Sequence, residues 1–213
     1  MISTLFSNPI VFFVSLVSIV VAIIIHEFAH AWAADKLGDP TPRLQGRLTL
    51  NPVSHIDPIG MLLLFVIGFG WGRPVAFDPY NLKHPRRDAA LISFAGPLSN
   101  FLLASICSIL LYLISFFNLS QMQIIGYLLL IPFIQMNLVL GIFNLLPIHP
   151  LDGFKIVGGI LPEEQAYKWY ELQRFGYIFL LLLLFPFGGS SFVSSILRPA
   201  VSFFMTILIP GSL

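Results

Sequence analysis

Long uninterrupted apolar runs constrain this chain more than any other feature. They fall around residues 10–25, 89–117, 124–146, 174–188 and 192–210. A bilayer core takes about 20 apolar residues per helical span. Inside it every backbone N–H and C=O must be satisfied within the segment, which selects helices. The sequence therefore predicts an all-α polytopic membrane protein with about five transmembrane helices, over 10–35, 89–117, 124–146, 174–188 and 192–210. Composition agrees, since 57% of the 213 residues are hydrophobic and only 10% charged, against roughly 25% charged in a soluble domain. Residues 1–213 read as one integral-membrane domain without repeats or a soluble appendage. No Lys or Arg precedes Lys36, so the first run lacks the basic start of a cleaved signal and is expected to stay as a span.

Residues 36–88 have a different character, rich in Pro, Gly, Asn and Asp. Arg47–Leu50 and Pro74–Phe77 have the residue types of short strands bounded by turns, so strand-like pieces are expected near 43–50 and 73–78. The apolar patch Met61–Phe69 is too short to cross as a helix. With the N-terminus outside, 36–88 and 147–174 face the cytosol and hold ten of the eleven basic residues, leaving Arg198 on the other side. That balance follows the excess of Lys and Arg in cytoplasmic loops. It requires Met61–Phe69 to enter and return as a re-entrant segment, which is tolerated where protein or water covers it.

Chemistry concentrates at His26-Glu27-Phe28-Ala29-His30. Helical residues four apart share a face, so both imidazoles reach one metal with Glu27 beside them as general base. Ionisable groups inside a membrane helix are costly and mark function. Trp32, Ala33 and Ala34 continue the apolar pattern beyond His30, which argues against a helix end merely surfacing into water. A catalytic zinc takes three protein ligands and leaves one position for water. Asp152 is the remaining acid suited to be the third. Pro147 and Pro150 break the helix ahead of it, and Gly153 permits a tight turn behind it. Two full spans, 89–117 and 124–146, separate the His pair from Asp152, which brings the acid back to the same membrane face.

With these residues in place, the sequence resembles the site-2 proteases, zinc intramembrane proteases of the M50 peptidase type. The resemblance rests on "HEFAH", on "AGPLSN" (95–100) and on "NLLPIHPLDG" (144–153). "GDPTPRLQGRLTLNPVSHIDPIG" extends it toward the compact bacterial and archaeal branch without PDZ or CBS domains. It implies one catalytic Zn2+ on His26, His30 and Asp152, Glu27 as catalytic base, and Asn144 near the reacting carbonyl. His149 departs from the Pro or aromatic that the family favours there. The implied reaction is hydrolysis of peptide bonds in transmembrane or membrane-associated proteins, in a prokaryotic cell membrane, with the active site toward the cytosol.

Among the other polar residues, Asn100 is expected to face the bundle interior, either hydrogen-bonding across helices or meeting substrate. His55 reads as a turn-stabilising residue, His84 as solvated beside the basic run at the headgroups, and Asp57 as a helix N-cap or a partner of a ligand histidine. The lone Cys107 has no thiol partner. No Lys/Arg block tracks a nucleic acid. A transporter would show a second half with a matching broken helix, and none is evident. The remaining alternative is a catalytically silent protein that binds membrane helices; the intact Glu27 and ligand set speak against it.

Overall fold

A computed structural model describes residues 2–117, 120–184, 186–187 and 190–209. Its frame is three long helices, α2 (Pro9–Lys36), α6 (Pro85–Phe116) and α7 (Ser120–Asn144), each packed on the other two. Around them lie α1 (Ile2–Ser7), α3 (Thr41–Leu44), α4 (Pro52–His55), α5 (Pro58–Ile67), α8 (Asp152–Ile160), α9 (Glu163–Glu171), α10 (Gly176–Leu184) and α11 (Phe192–Leu208). The one described strand pair is minimal, Pro186–Phe187 against Ser190–Ser191.

The long helices begin where local chemistry starts them. Asn8 caps α2 by accepting the Val11 N–H at 3.2 Å, and Pro9 supplies a preset φ where a helix needs no N–H. Pro85 does the same for α6, and the Asp88 carboxylate reaches back to the His84 N–H at 2.9 Å. Small residues let the helices approach: Ala22, Ala31 and Ala34 on α2 are fully buried. One core joins α6, α7 and α11 through Ala104, Cys107, Leu111, Ile134, Leu138 and Val201; another packs Ile19 and Ile23 of α2 against Leu64 of α5. The outward faces stay apolar, with Leu102, Ile106, Ile109 and Leu113 of α6 exposed. A bilayer would cover such a surface.

Among the described residues, three helices are long and apolar enough to cross a membrane: Pro9–Lys36, Pro85–Phe116 and Met122–Asn144. The two C-terminal runs give shorter helices. A 3-10 turn over Leu172–Phe175 delays α10, whose nine described residues span about 14 Å at the helical rise. With 17 residues, α11 sits at the lower limit for a span. Part of the run 174–188 lies outside the described residues.

The strands expected near 43–50 and 73–78 do not form. Thr41–Leu44 is a helical turn, started by Asp39, whose carboxylate accepts from the Thr41 N–H and hydroxyl. Residues 73–78 run without a ladder; an isolated bridge, Ile56 with Gly72, is the nearest pairing. The reason is a side chain. The buried Arg47 guanidinium donates to the carbonyls of Ser54 and Pro74 and reaches that of Arg73, filling acceptors that a neighbouring strand would need. Met61–Phe69 lies mostly in α5, ten residues capped by Asp57 through the Gly60 N–H at 2.7 Å. The chain then doubles back so tightly that a Cβ on Gly70 would collide with the Gly60 carbonyl.

Candidate metal centre

His26 and His30 occupy successive turns of α2, with their Nε2 atoms 3.0 Å apart. Asp152 opens α8, where a carboxylate is favoured by the positive end of a helix. Its Oδ2 lies 3.1 Å from His26 Nε2 and 3.2 Å from His30 Nε2. The two histidines are 4% and 8% exposed, so little water reaches the point where the three atoms converge. Position 152 is held by the bend before it, where the Leu151 N–H donates to Ile148 at 2.8 Å, and by α9, whose Trp169 donates to the Phe154 carbonyl at 2.8 Å.

The outer faces of the imidazoles decide what the centre can hold. His30 Nδ1 lies 2.8 Å from the Ile92 carbonyl, a pure acceptor, so it carries the hydrogen. His26 Nδ1 lies 2.7 Å from Asn100 Oδ1, and Asn100 Nδ2 is committed to the Ala22 carbonyl at 3.1 Å and Asn137 Oδ1 at 2.9 Å. His26 Nδ1 therefore also carries its hydrogen. Each neutral ring then points a bare Nε2 inward, toward a carboxylate oxygen. Three lone pairs at 3.0–3.2 Å repel unless a cation or a captured proton lies between them.

Two imidazoles and one carboxylate are a zinc donor set. Bonds of about 2.0–2.1 Å in a tetrahedron place donors roughly 3.3–3.4 Å apart, so the observed separations fit after an opening of a few tenths of an ångström. Room for this comes from α6. A Cβ on Gly96 would lie 2.5 Å from His30 Nε2 and 2.7 Å from His26 Cε1, so only glycine lets that backbone pass the rings. Among the described residues, His26, His30 and Asp152 are the group able to share a metal ion.

Glu27, half-buried beside the pair, accepts the Val75 N–H on Oε2 at 2.9 Å. Val75 directly follows the segment held by Arg47. Burial and the neighbouring Arg73 pull the Arg47 guanidinium below its ordinary value, opposed by the charge of Glu27.

Other expected residues lie apart from the convergence point. Asn144 Nδ2 donates to Leu140 on its own helix at 3.0 Å. Asn100 is fully buried behind His26, bridging α2, α6 and α7. His55 is buried with Nε2 on the Thr49 carbonyl at 2.7 Å, and His84 is exposed. His149 packs its ring against Phe154 and Tyr177, and burial with nearby Lys155 pulls its imidazole down. Two participants escaped the sequence reading, Arg47 and Asn137. Asn137 left a signal, one of three amides, with Gln135 and Asn144, in the apolar run 124–146.

Residues 114–184 match the model of Peptidase family M50; that stretch contains Asp152 but not the His pair. YwhC of Bacillus subtilis is 41% identical over 185 residues, 81% of each chain. Rip2 of Mycobacterium tuberculosis is 30% identical over 169 residues, 76% of this chain and 63% of that one. Both carry provisional zinc metalloprotease names. The zinc metalloprotease MJ0392 of Methanocaldococcus jannaschii is 27% identical over 164 residues, 77% of this chain and 39% of its own. No solved structure matches the chain. A likeness that covers four-fifths of YwhC, beside a family model matched over the segment that carries Asp152, leaves one assignment: the chain belongs to peptidase family M50.

Proposed function

We propose that this M50 peptidase is a site-2-type intramembrane protease that holds one zinc ion on His26, His30 and Asp152 and hydrolyses peptide bonds of transmembrane or membrane-associated proteins. The observation that carries this reading is the convergence of three bare donor atoms within 3.0–3.2 Å, two of them on a helix apolar enough to span. Zinc bound there polarises a scissile carbonyl and lowers the pKa of a bound water toward about 7.

The protein's own groups do the rest. Glu27 takes the proton of the attacking water and delivers it to the leaving amine, its carboxylate steadied by the Val75 N–H. Ile92 and Asn100 hold the two imidazoles in the ligand tautomer. Asn144 becomes an oxyanion donor if its amide leaves the Leu140 carbonyl. A helical substrate must unwind to expose its peptide bonds.

The centre faces the cytosolic side of a prokaryotic cell membrane in this reading. That orientation places Lys36, Arg43, Arg47 and Arg73 on the inside, and α5 dips in and returns beside the site. The decisive experiment measures zinc content and cleavage of a model transmembrane peptide in detergent for wild type and Glu27→Gln. The expected result is full zinc in both and cleavage lost by about 10²–10⁴-fold in the variant. A wild type without zinc, or a variant that cleaves as well, sinks the protease reading and favours a silent helix-binding protein.

A further inference from the structure

Asn137 lies on α7, on the far side of Asn100 from the metal centre, and is fully buried. Its Nδ2 donates to the Phe133 carbonyl one turn back at 2.8 Å. That bond fixes which end of the amide faces α6, so Oδ1 accepts from Asn100 Nδ2 at 2.9 Å. The second hydrogen of Asn100 goes to Ala22 of α2 at 3.1 Å. With both hydrogens committed, Asn100 has only its oxygen to offer His26 Nδ1.

We infer that Asn137 is a positioning residue for the metal centre, holding Asn100 so that His26 keeps its hydrogen on Nδ1 and a bare Nε2 toward the metal. The inference rests on the reading of His26 as a ligand. The opposite orientation of Asn100 would point its NH2 at His26 Nδ1. The imidazole would then have to accept there and carry its hydrogen on Nε2, inside the centre, where it blocks coordination. Ala22 alone opposes that flip with one acceptor. Asn137 adds the second and removes any orientation in which a buried amide N–H goes unpaired. A three-helix relay thus runs from α7 through α6 to α2, and Asn137 anchors it by back-bonding to its own helix. The packing alternative, in which Asn137 merely joins α6 to α7, predicts a different response to substitution.

The test uses the full chain in detergent with Asn137→Leu, which keeps the volume and loses the acceptor, and Asn137→Asp. As a neutral carboxylic acid the Asp side chain accepts from Asn100 and donates to Phe133 as Asn does. Zinc affinity is measured by competition with a chelator, and the tautomer of His26 by nitrogen NMR of the metal-free, histidine-labelled protein. The expected result for Asn137→Leu is zinc binding weakened by about tenfold, the lower range for partners behind a ligand. His26 should show a mixture of tautomers while His30, held by Ile92, is unchanged. Asn137→Asp should restore both. If the Leu variant does not fold, Asn137→Ala answers the same question. Unchanged zinc affinity with an unchanged His26 tautomer overturns the inference, as does an equal disturbance of His30, which would mean general loosening. A wild type that binds no zinc defeats the proposed function instead, and the tautomer readout still decides the role of Asn137.

Discussion

Val75 gives its backbone N–H to the carboxylate of Glu27 at 2.9 Å, and the carbonyl just before it is held by the buried side chain of Arg47. A residue 28 positions upstream of Val75 therefore governs how the loop meets the candidate base. Arg47→Gln cannot reach the same carbonyls as a planar fork. The expected outcome is cleavage reduced at least about tenfold, the effect of a misplaced catalytic group, with zinc content unchanged. Metal analysis beside peptide cleavage checks it; loss of zinc would show that Arg47 supports the whole centre.

Gly96→Ala forces a methyl group against both imidazoles. Overpacking costs about 1–3 kcal/mol, and here it falls on the ligands. Zinc affinity should drop by tenfold or more. A matched control is Gly126→Ala, where the new Cβ meets the movable end of Ile114 at 3.2 Å; that variant should bind zinc normally. Equal affinities for the two variants would refute the close-approach argument.

Metal removal should register as lost stability. A ligand at 100 times its dissociation constant stabilises the folded state by about 2.7 kcal/mol. A chelator should therefore lower the melting midpoint of the wild type in detergent. Asp152→Ala, with the carboxylate removed, should melt at the same temperature with or without chelator.

Asp39 supplies a pH dependence away from the centre. Burial pushes its carboxyl up, but hydrogen bonds from the Thr41 hydroxyl, the Asn81 amide and the N–H groups of Thr41 and Asp78 outweigh this and hold it below the ordinary value. A carboxylate depressed in the folded state stabilises above its unfolded pKa of about 3.9 and loses that contribution as pH falls through its folded value. Asp39→Asn should be less stable than wild type at pH 7, and the gap should close in acid. Thermal melts of both proteins from pH 7 downward measure it; a gap that widens in acid contradicts the assignment.

The convergence of His26, His30 and Asp152 was legible because its parts obey local rules. Two histidines at helical spacing and an acid behind a proline-broken helix carry their geometry in their order. The long spans were legible because the bilayer fixes their length. What escaped depends on contacts distant in sequence. Residues 43–50 and 73–78 have strand composition, yet Arg47 takes the carbonyls a strand would use. Gly96 is a small residue in a motif until the rings beside it are seen.

The donors from α2 and α8 stand 126 positions apart in the chain. During synthesis α2 leaves the ribosome with its imidazoles unaccompanied, and the carboxylate follows only after α6 and α7 have been made. The three donors can therefore meet only after α8 has been made, with α9, α10 and α11 still to follow. Until then the chain holds no complete set of donors for a metal ion.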